Sequence, residues 1–151
     1  MQKKQINIVW FRNDLRIDDN PALQESLKSG LPTIGLYCFE PRLYEDYFYD
    51  LKKTESFRAQ FIIESIEDLI AQLQTINVGL KVSTQAPTDA IKDLSEAYSI
   101  HSIFYQKEWT SEEIEVENKL KDTHSAIHFK SYYSQFLYHP EDSPFEIGRA
   151  H

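Results

Sequence analysis

Arg12, Asn13 and Asp14 stand directly after the apolar run Ile8-Val9-Trp10-Phe11, and a second polar cluster, Asp18-Asp19-Asn20, follows closely. Polar side chains released at the end of a buried strand are placed to build a ligand site. The same junction recurs at Gln106-Lys107-Glu108, behind the apolar stretch Ile100 to Tyr105, and at Cys38-Phe39-Glu40. The chemistry on offer is binding rather than bond-making. A guanidinium or an ammonium meets an anion, and a carboxylate accepts two adjacent N–H groups in a paired contact. Glu108 is the leading candidate for that contact, although a negative charge just ahead of a helix also favours the helix itself. Arg12, Asn13, Cys38 and Phe39 would share its crevice, with Phe39 packed on a flat ring or simply closing the core. Cys38 also suits a small apolar filler. Lys107 suits either an anionic ligand tail or open solvent. Thr110 and Glu113 form a capping box, which explains them without further function.

Other chemistries lack their signatures. His101, His124, His128, His139 and His151 show no metal-ligand spacing with the single cysteine or with paired carboxylates. No nucleophile elbow, P-loop or dinucleotide glycine fingerprint occurs, and 4 glycines are too few for a backbone phosphate cradle. Trp10 reads first as a core residue, and neither it nor Trp109 is assigned an electron-transfer role.

The elements that would carry these junctions follow from periodicity. Ile6 to Phe11 suits a strand covered on both faces. Asn20 then Pro21 reads as an N-cap and the first helical position, opening a short helix with Ala22, Leu23 and Leu27 that Gly30 stops. Thr33 to Phe39 is a second strand. A loop rich in aromatics (Tyr44, Tyr47, Phe48, Tyr49) follows. The longest helix runs from about Thr54 to Thr75, with Phe57, Phe61, Ile62, Ile66, Leu69, Ile70 and Leu73 on its buried face. Asn77 and Gly79 mark its exit. Leu80 to Thr84 alternates as an edge strand does. Pro87 starts a helix with Ala90, Ile91, Leu94 and Ala97 inward. Ile100 to Tyr105 is the fourth strand, Thr110 opens a helix carrying Ile114, Val116 and Leu120, and Ala126 to Tyr132 is the fifth strand. Alternating strands and helices imply right-handed βαβ units. The expected fold is therefore α/β: a Rossmann-like, doubly wound, five-stranded parallel sheet of order 3-2-1-4-5 with helices on both faces. Its switch point lies between strands one and four, where the loops bearing Arg12 and Glu108 converge.

Composition narrows the partners. With 151 residues the chain suits one domain. Lys and Arg number 16 against 24 Asp and Glu, a net charge of -8, so the chain is a poor phosphate-gripping surface for DNA. One cysteine excludes an internal disulfide. No segment resembles a signal peptide or a membrane span. The expected home is cytoplasmic.

The first junction resembles the amino terminus of the photolyase/cryptochrome family, W-F-R-x-D-L-R-x-x-D-N-x-A-L. Trp10, Phe11, Arg12, Asp14, Leu15, Arg16, Asp19, Asn20, Ala22 and Leu23 all fit it. Leu36 to Arg42, Phe57 to Phe61 with Glu64 to Leu69, Lys107 to Glu117, and Tyr138 to Phe145 are similar to the DASH branch of cryptochromes. The resemblance implies an α/β antenna-chromophore domain over residues 1–134 and the start of an interdomain linker over 135–151. It implies a reduced folate of the methenyltetrahydrofolate type as the antenna, held by the acid of the K-E loop, Glu108. It further implies FAD in a helical domain expected beyond His151, with damaged DNA met only through that domain. The implied function is light harvesting for photolyase-type repair of pyrimidine dimers, without catalysis by these residues alone. The alternative is a stand-alone nucleotide-binding or protein-interaction module on the same fold. Self-association through an exposed interdomain face is a third expectation.

Overall fold

A computed structural model describes residues 2–39, 47–48, 51–52 and 56–134. The sheet is built outward from β1 (Gln5–Phe11), of which every residue after Gln5 is buried. Such a strand needs a neighbour on each edge and cover on each face. β2 (Thr33–Cys38) and β6 (Ser99–Gln106) pair with it in parallel, with Ile8 opposite Ile34 on one side and Ile103 on the other. β5 (Gly79–Ser83) and β7 (His128–Tyr132) complete the sheet in the order β5-β2-β1-β6-β7, all parallel. This is the expected 3-2-1-4-5 arrangement of the five strands.

Among the described residues four helices cover it: α1 (Pro21–Lys28), α2 (Ser56–Gln74), α3 (Pro87–Ala97) and α4 (Ser111–Thr123). Successive strand residues point to opposite faces, so β1 feeds two cores. Ile6, Ile8 and Trp10 pack with Ala90 and Ile91 of α3 and Leu120 of α4. Val9 and Phe11 pack with Ala22 and Leu23 of α1 and with Ile66, Leu69 and Leu73 of α2. The helix boundaries follow local chemistry. Asn20 accepts from the Leu23 N–H as N-cap ahead of Pro21, and Thr110 and Glu113 complete a reciprocal capping box ahead of α4. Asn77, at φ +58°, takes the left-handed turn that leaves α2.

Several side chains depart from the expected pattern. Phe61 is 69% exposed rather than inward. It lies one residue before Ile62, about 100° further round the helix and outside the stripe that Ile66, Leu69 and Leu73 define. Ile114, in the first turn of α4, is also exposed, and the buried residues of that helix are Glu117 and Leu120. Ala97, the last residue of α3, and Leu27 of α1 are exposed as well. Within the expected aromatic loop, β3 (Tyr47–Phe48) and β4 (Leu51–Lys52) form a small antiparallel ribbon. Tyr44, Tyr49, Thr54, the side chain of Phe57 and the expected linker 135–151 lie outside the described residues.

Candidate functional site

The carboxyl ends of β1 and β2 and the start of α4 enclose a crevice of about 440 Å³. Trp10 to Asn13 form one wall, Tyr37 and Cys38 another, and Thr110 to Glu113 a third, with Arg58 of α2 at the rim. The crevice lies beside the switch point, where the chain leaves β1 in one direction and β6 in the other.

Asn13 is the hinge of the local network. Its amide nitrogen donates to Glu108 Oε1 and to Glu113 Oε1, each at 3.1 Å. The loop after β1 is thereby tied both to the β6 tip and to the first turn of α4. Glu108 is 1% exposed, and its Oε1 also accepts from the Gln106 side-chain amide at 3.0 Å. The Ser134 hydroxyl in turn donates to Gln106 Oε1. One chain of hydrogen bonds therefore crosses the edge of the sheet from the end of β7 to the start of α4.

Arg12 runs under α4 instead of out to solvent. Its guanidinium lies 4.4 Å over the Trp10 ring, Nη2 donates to the Glu113 carbonyl at 2.9 Å, and Nη1 lies 3.8 Å from Glu117 Oε2. Nη1 is buried without a hydrogen-bond acceptor. Glu117 Oε1 accepts from the Tyr105 hydroxyl at 2.6 Å and from Lys121 at 2.9 Å. Burial works to raise the Glu117 pKa, but the Tyr105 hydroxyl, Lys121 and Arg12 together hold it below the usual carboxylate range. Burial and the adjacent Glu117 push the Tyr105 hydroxyl up, which keeps it a donor.

Asp14 shows the opposite balance. It is buried, with Oδ1 accepting from the Arg12 N–H at 2.9 Å and Oδ2 from the Asn20 amide at 3.3 Å. Burial, reinforced by the charge of Glu108, raises its pKa to about 6 against the pull of the backbone N–H groups and Arg16.

Of the residues singled out from the sequence, Arg12, Asn13 and Cys38 line the crevice. Glu108 joins it from beneath through Asn13. Lys107 sits toward β7, its N–H donating to the Tyr132 carbonyl at 2.9 Å. Phe39 sits on the opposite flank, its N–H donating to the Ser83 carbonyl at 2.8 Å and its ring edge-on to Tyr37 at 5.2 Å. Arg58, Glu117 and the start of α4 were not singled out as site residues, and Asp14 stood out only as part of the polar run after β1. The signal for α4 was present: a capping box placed just after the β6 tip aims a helix N-terminus at the switch point. Among the described residues no three His, Cys, Asp or Glu side chains are grouped to hold a metal, and no helix is long and apolar enough to cross a membrane.

Comparison with known proteins places this geometry. Residues 7–150 match the family described as DNA photolyase. Cryptochrome DASH of Synechocystis sp. is 37% identical over 142 residues, which are 93% of this chain and 29% of that protein. The crystal structure of the Synechocystis sp. PCC6803 cryptochrome superposes with a TM-score of 0.91 at 35% identity, over 96% of this chain and 30% of the other. An archaeal photolyase from Sulfolobus tokodaii, solved with two FAD molecules, shares the fold with a TM-score of 0.75 at 21% identity, over 89% of this chain and 32% of that one. The chain thus spans about three-tenths of the length of these relatives.

Proposed function

The chain belongs to the DNA photolyase family, and from that premise we propose that it is the α/β part that holds a light-harvesting pigment for a flavin carried by a separate helical domain. One observation supports this most: the β1 and β6 tips are joined, through Asn13 and Glu108, at the edge of a crevice of about 440 Å³. That volume falls within the range of small-molecule sites. The pigment proposed is a reduced folate of the methenyltetrahydrofolate type. Its pterin head carries an amino group beside a ring nitrogen, and the Glu108 carboxylate already accepts from side-chain amides of the same hydrogen-bonding kind. A pterin reaching Glu108 takes over the place of the Asn13 amide. Arg12 fixes the β1 tip to α4, Cys38 supplies apolar floor, and Phe39 and Lys107 flank the seat.

When bound, such a pigment supplies near-ultraviolet or blue absorption and passes its excitation to the flavin. The residues of this chain bind, orient and exclude water. Splitting of pyrimidine dimers belongs to the helical FAD domain, and DNA is met there, in keeping with the net charge of -8 on this chain. The proposal extends to family function in DNA repair and to a cytoplasmic setting.

Absorbance titration of the purified chain with methenyltetrahydrofolate tests the proposal, with FAD titrated in parallel. Saturable folate binding that Glu108→Ala weakens at least tenfold is expected. Equal binding by both proteins removes Glu108 from the site, and FAD binding with no folate binding replaces the pigment. The N-terminus of α4 with Arg12 and Arg58 also suits an anion, which favours the nucleotide-binding alternative. ATP or NAD binding in preference to any pterin would establish that alternative.

A further inference from the structure

Beside the Glu108 seat lies a second feature that the crevice does not include. Trp109 and Tyr133 stack at 5.3 Å between centroids with 28° between planes, and they are 36% and 37% exposed. The Lys107 ammonium lies 5.9 Å from the Trp109 ring centre and 5.5 Å from that of Tyr133. The Lys107 N–H bonds to the Tyr132 carbonyl, and Ser134, Gln106 and Glu108 are linked in sequence. The aromatic pair is therefore held at a fixed position relative to the Glu108 carboxylate.

The stacked pair carries the Lys107 ammonium over its rings, and together they match one kind of ligand: a flat aryl ring that carries a carboxylate. We infer that Trp109, Tyr133 and Lys107 form a subsite for the aminobenzoyl-glutamate arm of a folate whose pterin head occupies the Glu108 seat. This rests on the folate-holding role proposed above. The arm is attached at a nitrogen of the five-membered ring fused to the pterin and is itself a planar benzamide ending in carboxylates. Trp109 is the residue next to Glu108, so an arm departing toward β7 meets the aromatic pair first and the Lys107 charge with it. On a chain of net charge -8 a fixed lysine at this point also offsets the general repulsion of a carboxylate tail.

The test compares two ligands on the full 151-residue chain: methenyltetrahydrofolate, by absorbance, and 6-methyltetrahydropterin, which lacks the arm, by displacement. The wild-type chain is expected to hold the folate roughly tenfold more tightly than the pterin. Trp109→Ala should remove that advantage and leave the pterin affinity unchanged, while Trp109→Phe retains most of it. Lys107→Ala should weaken only the folate, about threefold at low salt and less at high salt. Folate affinity unchanged in Trp109→Ala overturns the subsite, as does an equal loss for both ligands; the pterin seat survives the first result. Absence of binding by either ligand to the wild-type chain overturns the seat and the subsite together.

Discussion

Two acids are buried within reach of Arg12, and they titrate in opposite directions. Glu117, on the inner face of α4, is met by Tyr105, Lys121 and the Arg12 guanidinium and is held below the usual carboxylate range. Asp14, at the β1 tip, is met by the Arg12 backbone N–H and the Asn20 amide, and its pKa rises to about 6. Burial is common to both. The difference is that cations neutralise one charge, whereas dipoles and a neighbouring acid surround the other. The first arrangement clamps a helix to the sheet. The second leaves the site edge close to a change of charge near neutral pH.

Removing the clamp acid should have the largest effect. Glu117→Ala leaves the buried Arg12 guanidinium without its carboxylate and the Tyr105 hydroxyl without its acceptor. We expect a loss of about 3 kcal/mol in urea unfolding at neutral pH. Glu117→Gln, which keeps an acceptor for Tyr105, should lose less. A loss below about 0.5 kcal/mol for the alanine variant would mean that the network contributes nothing beyond packing.

Asp14 should produce the next largest effect, through pH. Its folded pKa lies above its ordinary value of 3.8, so the native state binds the proton more tightly than the unfolded chain does. Its contribution is fully present below about 3.8 and is lost as the pH rises to about 6. The loss is at most about 3 kcal/mol. Glu117 has the opposite sign: its contribution is present above 4.5 and disappears as the pH falls through its lowered folded value. Unfolding free energies measured from pH 4 to 7 should therefore contain a falling component that Asp14→Asn abolishes and Glu117→Gln leaves in place. The same slope in the wild-type and Asp14→Asn proteins would break the contrast.

The contrast also explains what could be read from the chain. The fold was legible because its evidence is local. An apolar run buried on both faces marks the central strand, Asn20-Pro21 and Thr110-x-x-Glu113 mark helix starts, and βαβ handedness orders the rest. Arg12, Asn13 and Cys38 were placed at the crevice by that topology alone. Glu117 was missed because apolar periodicity looks for carbon, and along α4 it marked Ile114, Val116 and Leu120 instead. An acid can occupy the inward line only when partners on other elements neutralise it, and Arg12 lies more than a hundred positions away in sequence. Phe61 was misplaced for a related reason: apolar spacing set it on the buried face although its angle on the helix lies off the packed stripe. Arg58 at the crevice rim had no local mark distinguishing it from any other polar helix residue.

The smallest effect sharpens the separation of the two regions. Thr110 accepts from the Glu113 N–H at 3.3 Å, and Glu113 returns a contact to the Thr110 N–H at 3.4 Å while also accepting from Asn13. Thr110→Ala should cost about 1 kcal/mol through the lost cap, and Thr110→Ser should restore most of it. The cap fixes the start of α4, and Asp14 takes its hydrogen bonds from Arg12 and Asn20, neither of which belongs to the cap. The Thr110→Ala protein should therefore unfold at lower denaturant with the Asp14-dependent slope between pH 4 and 6 intact. If that slope flattens as well, the cap and the β1 tip form one cooperative unit joined through Asn13, and the clamp and the site edge cannot be tuned separately.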